Sequence, residues 1–140
     1  MLRLRRITLK TARDFHGHLG PWLVLGILLG EFALKKLKAK KYFGIKVKVF
    51  GANKKPKSCL IDGLQLSSGA TYGKGNIEKL NGKEIKVEFI NLINRKKITL
   101  GLKKEIIRQL EKIDTRRKAE ILAKKLYKLN SPSKIFYITH

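Results

Sequence analysis

The chain predicts a single α+β domain in which helices flank a mainly antiparallel sheet, and three observations carry that expectation. Apolar residues alternate with lysine at Ile45, Val47 and Val49, and alternate again at Ile85, Val87 and Phe89, the period of strands with one buried and one solvated face. Leu102, Ile106, Leu110 and Ile113, then Ala119, Leu122, Leu126 and Leu129, recur at helical spacing. At 140 residues, 43% of them hydrophobic, the chain can bury one core without disulfides or a structural metal.

Taken in order, Thr11 with Asp14 three positions later has the form of a capping box and starts a short helix that carries Phe15 toward His16. Gly17 and Gly20 break it. Pro21 suits the first turn of a central helix through Trp22, Leu25, Leu28, Leu29, Phe32 and Leu37, with Lys35, Lys36 and Lys38 at the end where the helix dipole favours cations. Gly26 and Gly30, one turn apart, let a neighbouring backbone approach closely, either in tight core packing or, as the lesser alternative, in a dimer seam.

After the first strand, Asn53 to Pro56 reads as a turn, and Ser58 is placed to cap a short helix through Cys59, Asp62, Gly63 and Leu66. Ser67-Ser68-Gly69 ends that helix, and a glycine-rich loop runs to Asn76. Following the Asn91 to Lys97 turn, Ile98, Leu100 and Leu102 continue as a hairpin partner of the Ile85 to Phe89 strand. Two helices then divide near Asp114-Thr115, Asn130-Ser131-Pro132-Ser133 stops the second, and Ile135 to Ile138 forms a final strand. Neither a repeat nor a second domain is visible.

Thirty-three Lys and Arg against 10 Asp and Glu give a formal charge of +23, which attracts polyanions at long range, so nonspecific nucleic-acid binding is expected, and a basic nucleic-acid-binding module with Arg116-Arg117-Lys118 and Lys124-Lys125 on exposed helix faces is the alternative function. The lysines are nevertheless spread over polar faces along the whole chain, as on a solvated surface. A single cysteine excludes an intramolecular disulfide and suits a reducing cytoplasm. Met1-Leu2-Arg3-Leu4-Arg5-Arg6-Ile7 is not followed by a signal-peptide apolar region, and the apolar stretch Leu19 to Leu34 falls short of a membrane span, so the chain is expected to be cytoplasmic.

The chemistry concentrates in Phe15-His16-Gly17-His18-Leu19-Gly20-Pro21 and in Cys59. His16 and His18 can share a ligand if Gly17 makes an irregular turn, because i and i+2 on a helix point apart. Two imidazole nitrogens and a thiolate suit zinc or a similar divalent transition metal with a fourth position open. The alternatives are satisfied polar residues at a helix junction and an inert buried thiol. Asp14 and Asp62 can orient a ligating imidazole, or merely cap helices. The loop Gly69 to Asn76 offers Lys74 and backbone N–H groups to an anion, lacks Walker A spacing, and by itself reads as a tight turn. His140 reads as a frayed surface residue rather than a ligand.

These segments, with Cys59-Leu60-Ile61-Asp62-Gly63-Leu64-Gln65 and Ser68-Gly69-Ala70-Thr71-Tyr72-Gly73-Lys74-Gly75-Asn76, resemble the core domain of the FmdE family, which takes its name from a component of formylmethanofuran dehydrogenase. The resemblance covers roughly residues 11 to 100, leaving a basic helical part from 101 to 140. His16, His18, Pro21, Cys59, Asp62, Gln65, Thr71, Lys74 and Asn76 match the family's motifs, whereas Gly20 and Ala70 stand where it places cysteines and Trp22 where it places glycine.

The resemblance implies a dimeric α+β domain of one-carbon metabolism in methane-producing archaea and their relatives, with a metal near the His-x-His and cysteine motifs. Thr71 and Lys74 are then expected to line the same pocket. No catalytic residue is assigned, and any activity is expected through association with an oxidoreductase resembling formylmethanofuran dehydrogenase. The paired loss of thiols at Gly20 and Ala70 raises the alternative of a non-catalytic partner subunit. The cysteine-rich zinc ribbon that many members carry has no counterpart after Leu100.

Overall fold

A computed structural model of the protein describes residues 5–139, so residues 1–4 of the basic N-terminal start, and His140, lie outside the described residues. The elements run α1 (Leu9–His16), α2 (Pro21–Leu37), β1 (Ile45–Phe50), α3 (Cys59–Ser68), β2 (Ile77–Leu80), β3 (Lys86–Asn91), β4 (Lys97–Leu102), α4 (Lys104–Glu111), α5 (Arg116–Leu129), α6 (Pro132–Ile135) and β5 (Phe136–Thr139). The strands form one five-stranded sheet in the order β2-β1-β3-β4-β5. Only the β1 and β2 pair is parallel, the polypeptide crossing between them through α3, and the remaining pairs are antiparallel. This is the α+β architecture expected.

Alternation sets the inner face of the sheet. Ile45, Val47 and Val49 are buried while Lys46 and Lys48 are only partly covered. Val47 sits in register between Ile77 and Phe89, and Val87 pairs with Leu100, so one apolar layer runs across the strands. Against it lies α2, every residue of which from Pro21 to Gly30 is buried. A helix apolar on all sides needs neighbours on all sides, and α2 has the sheet, α3 and α5 around it.

The contact between α2 and α3 is a backbone approach made possible by small residues. A methyl at Gly26 would stand 2.1 Å from the Leu60 carbonyl oxygen, and one at Gly63 would stand 2.0 Å from that of Leu23. At Gly30 a methyl would stand 1.9 Å from Ser67 Oγ, the hydroxyl of which donates to the Gly63 carbonyl at 2.9 Å and is 3.1 Å from that of Gly26. Since Gly26 faces Leu60 to Leu64 and Gly30 faces Ser67, the helices run in the same direction and their N-termini share one end. Tight core packing therefore explains Gly26 and Gly30. The alternative of a dimer seam through them is corrected, because α3 of the same chain fills that face.

Other expectations need adjustment. Thr8, not Thr11, caps α1: its hydroxyl accepts from the Thr11 amide at 3.1 Å, and Asp14 lies too far along the helix to complete the box. Ser58 occupies the N-cap of α3 in an αR conformation, but its hydroxyl makes no capping bond. Asn130 ends α5 in a left-handed turn, and Pro132, at a first-turn position that needs no N–H, begins the additional short α6.

Candidate functional site

Gly17 creates the site by ending α1 with φ of +103°, its N–H donating to the Arg13 carbonyl at 2.7 Å. This left-handed residue provides the irregular turn between the histidines, and their rings meet edge to face with centroids 4.9 Å apart. Gly20 and Pro21 then open α2, and the His18 ring lies over Gly20, where an added methyl would meet it at 3.5 Å. Cys59 opens α3. Because α2 and α3 begin at the same end of the molecule, residues some 40 positions apart in sequence converge there.

His16, His18, Gly20 and Cys59 line one cavity of about 130 Å³. Trp22 and Pro56 form part of its wall, and Leu110, Ile113 and Ala119 from the α4 to α5 region complete it. Asp62, one turn into α3, accepts from His16 Nδ1 at 2.5 Å. With Nδ1 donating to that carboxylate, a neutral ring carries its lone pair on Nε2, the arrangement by which a carboxylate fixes the tautomer of a ligating histidine. Burial pushes the Cys59 thiol pKa up, the Asp62 charge pushes it further, and Lys55 partly opposes both. The thiol is therefore protonated at neutral pH.

The donor set is chemically suited to a borderline metal: two imidazoles and one thiol around a small cavity, with the Asp62 carboxylate orienting one of the imidazoles. Among the described residues, no group of three or more His, Cys, Asp or Glu side chains stands in metal-holding geometry. The residues present fit the chemistry of such an ion in type and shared lining, and would have to draw together to ligate it.

The other expected site residues lie elsewhere. Asp14 is exposed and pairs with Lys10 at 2.8 Å on the surface of α1, so Asp62 alone takes the orienting position beside His16. Thr71 and Lys74 do not line the His cavity, being in the loop beyond the opposite end of α3. There Lys74 Nζ donates to Thr71 Oγ1 at 3.0 Å and lies 5.5 Å from the centre of the Phe43 ring. The amides of Thr71, Tyr72, Lys74 and Gly75 are spent on Asn76, Gln65 and Thr71. The loop is thus a closed turn rather than an anion cradle. Gly20 and Ala70 also fall at opposite ends of α3, a helix of ten residues and about 15 Å.

Two residues gain a role that sequence reasoning left unassigned. Gln65 lies 3.5 Å by Nε2 from Asp62 Oδ1 and accepts from the Tyr72 amide at 3.0 Å, tying the loop to α3; its i+3 spacing from Asp62 was the available signal. Trp22, the chain's one tryptophan, walls the His cavity and a neighbouring groove. Its signal was the departure from glycine in the first motif.

The fold and the cavity define a small α+β domain with imidazoles and a thiol gathered at paired helix N-termini. The chain belongs to the FmdE family, described as "FmdE, Molybdenum formylmethanofuran dehydrogenase operon", whose model matches residues 15–135. The match takes in the basic helices beyond residue 100, which are thereby within the family region rather than outside it. A crystal structure of an FmdE-like protein of the tungsten formylmethanofuran dehydrogenase type, from Syntrophus aciditrophicus, shares the fold, with a TM-score of 0.68 at 19% identity over 94% of this chain and 68% of that one. A probable S-adenosyl-L-methionine-binding protein of Archaeoglobus fulgidus is 32% identical over 76 residues, 54% of this chain. The match takes in only 20% of the length of that curated relative.

Among the described residues no helix is long and apolar enough to cross a membrane.

Proposed function

We propose that this chain is a metal-binding FmdE-type protein in which His16, His18 and Cys59 hold zinc or a similar divalent transition metal. The observation that carries the reading is their shared cavity, with the His16 ring already oriented by Asp62. Imidazole and thiolate are the ligand types such ions prefer, and the hydrogen-bonded carboxylate both fixes the ring and raises its basicity. Asp62 holds the proton on Nδ1, so Nε2 is the nitrogen available for ligation.

A bound ion would supply a Lewis acid to polarise a carbonyl or acidify a water. The protein's own contribution is to position and to exclude water: Trp22, Pro56, Leu110 and Ile113 enclose the donors in an apolar wall. On this reading the chain acts in the cytoplasm, in archaeal one-carbon metabolism, as a homodimer or beside partner subunits of a formylmethanofuran dehydrogenase-like oxidoreductase. Family membership supports that setting, and most of the Archaeoglobus relative lies outside the region it shares with this chain.

Protein purified without a histidine tag is expected to contain about one metal ion per chain, and His18→Ala and Cys59→Ser are each expected to lose it. Metal content equal to the parent in both variants overturns the reading.

A further inference from the structure

Beside the His cavity lies a much larger groove, of about 740 Å³, and the two share Trp22, Pro56 and Leu110. A groove of that volume is within the range that encloses a small molecule. Its apolar lining includes Trp22, Ile85, Leu102, Ile107 and the Tyr137 ring. That ring is placed by a local device: Gly101 pairs with Tyr137 across β4 and β5, and a methyl at Gly101 would stand 2.3 Å from Tyr137 Cζ. The missing side chain lets the aromatic ring lie over the strand.

The polar rim is asymmetric in charge. Lys57, Lys83, Lys103, Lys104 and Arg108 face the groove with only Glu84 and Glu111 against them, and no ion pair within the described residues engages either acid. Lys103 donates to the Ser133 carbonyl, which leaves Lys104 and Arg108, one turn apart on α4, with Lys57 and Lys83 from two other segments. Cations on separate segments around an apolar floor match a compact ligand that carries anionic charge on an apolar body. Inorganic phosphate would leave the floor unused, and a neutral apolar molecule would leave the cations unused.

We propose that this groove binds a small amphipathic dianion, its apolar body against Trp22, Ile107 and Tyr137 and its anionic group held by Lys104 and Arg108. The shared wall brings one end of such a ligand to the mouth of the His cavity. The site rests on the groove alone and stands whether or not a metal binds at His16, His18 and Cys59.

The test uses 4-phenylbutyl phosphate as probe, with 4-phenylbutanol and inorganic phosphate as its two halves, at pH 8 and constant ionic strength. Binding is read by titration calorimetry and by the indole N–H resonance of Trp22, the one tryptophan in the chain. The phosphate ester is expected to saturate, to shift the indole resonance, and to bind at least tenfold more tightly than either half. Lys104→Ala/Arg108→Ala is expected to weaken it tenfold or more, and Lys35→Ala/Lys36→Ala, which removes equal charge from exposed positions on α2 outside the groove, less than twofold. Equal weakening by both double variants reduces the effect to net charge and overturns the proposal. So does inorganic phosphate binding as tightly as the ester, or an ester that binds without moving the Trp22 resonance.

Discussion

At the scale of single residues, the site depends on Gly17 and Asp62. Gly17 is the only residue type that takes φ of +103° without strain, and it turns the chain so that both imidazoles meet. Asp62 acts on both donors, orienting His16 by hydrogen bond and raising the Cys59 pKa by its charge. Asp62→Asn should therefore move two readouts in opposite senses. Loss of the orienting carboxylate lowers metal affinity by about tenfold or more, measured by competition with a chelator. Loss of its charge removes one cause of the raised pKa, increases the thiolate fraction at pH 8, and speeds alkylation of Cys59 in metal-free protein. A variant with slower alkylation and unchanged metal affinity would contradict both roles. His16, His18 and Cys59 were legible as a group because imidazole and thiol chemistry is carried by residue identity. The choice between Asp14 and Asp62 was not, since it turns on which carboxylate the helix directions bring to Nδ1.

Among elements, the parallel pair of α2 and α3 determines where the site forms. Gly63→Ala would place a methyl 2.0 Å from the Leu23 carbonyl, and backbone atoms on both sides leave it no room. The helices must separate, at a cost of about 3 kcal/mol, the upper part of the range for overpacked cores. Thermal and denaturant unfolding should show that loss together with weakened metal binding, since Cys59 moves with α3. Unchanged stability would mean that the helices are not in backbone contact. Long elements were readable in advance: α2 by its nearly unbroken apolar run, and α5 and the strands β1, β3 and β4 by their burial period. Missed were β2 and α6, each only four residues. Their state is set by context, as β2 is completed by parallel pairing with β1 after the α3 crossover.

Across the whole molecule, the charge of +23 and the site answer to different physics. Arg116, Arg117, Lys118, Lys124 and Lys125 are exposed as expected, and Lys118 and Lys124 are partly engaged with Asp114 and Glu120. Such dispersed surface charge draws polyanions without selecting among them. The His cavity is instead assembled by one end of the fold, where α1, α2 and α3 meet and the α4 to α5 region covers them. That covering was invisible in the motifs, because Leu110, Ile113 and Ala119 read as ordinary helix-stripe residues; only the tertiary path makes them cavity wall.

The most direct measurement is an anomalous-scattering map of crystals grown with zinc, collected on both sides of the zinc absorption edge. A single strong peak inside the cavity, within bonding distance of an imidazole nitrogen of His16 and of His18 and of Cys59 Sγ, is the predicted result. Zinc bound elsewhere on the chain, with those three side chains left free of it, would contradict the metal site at its centre.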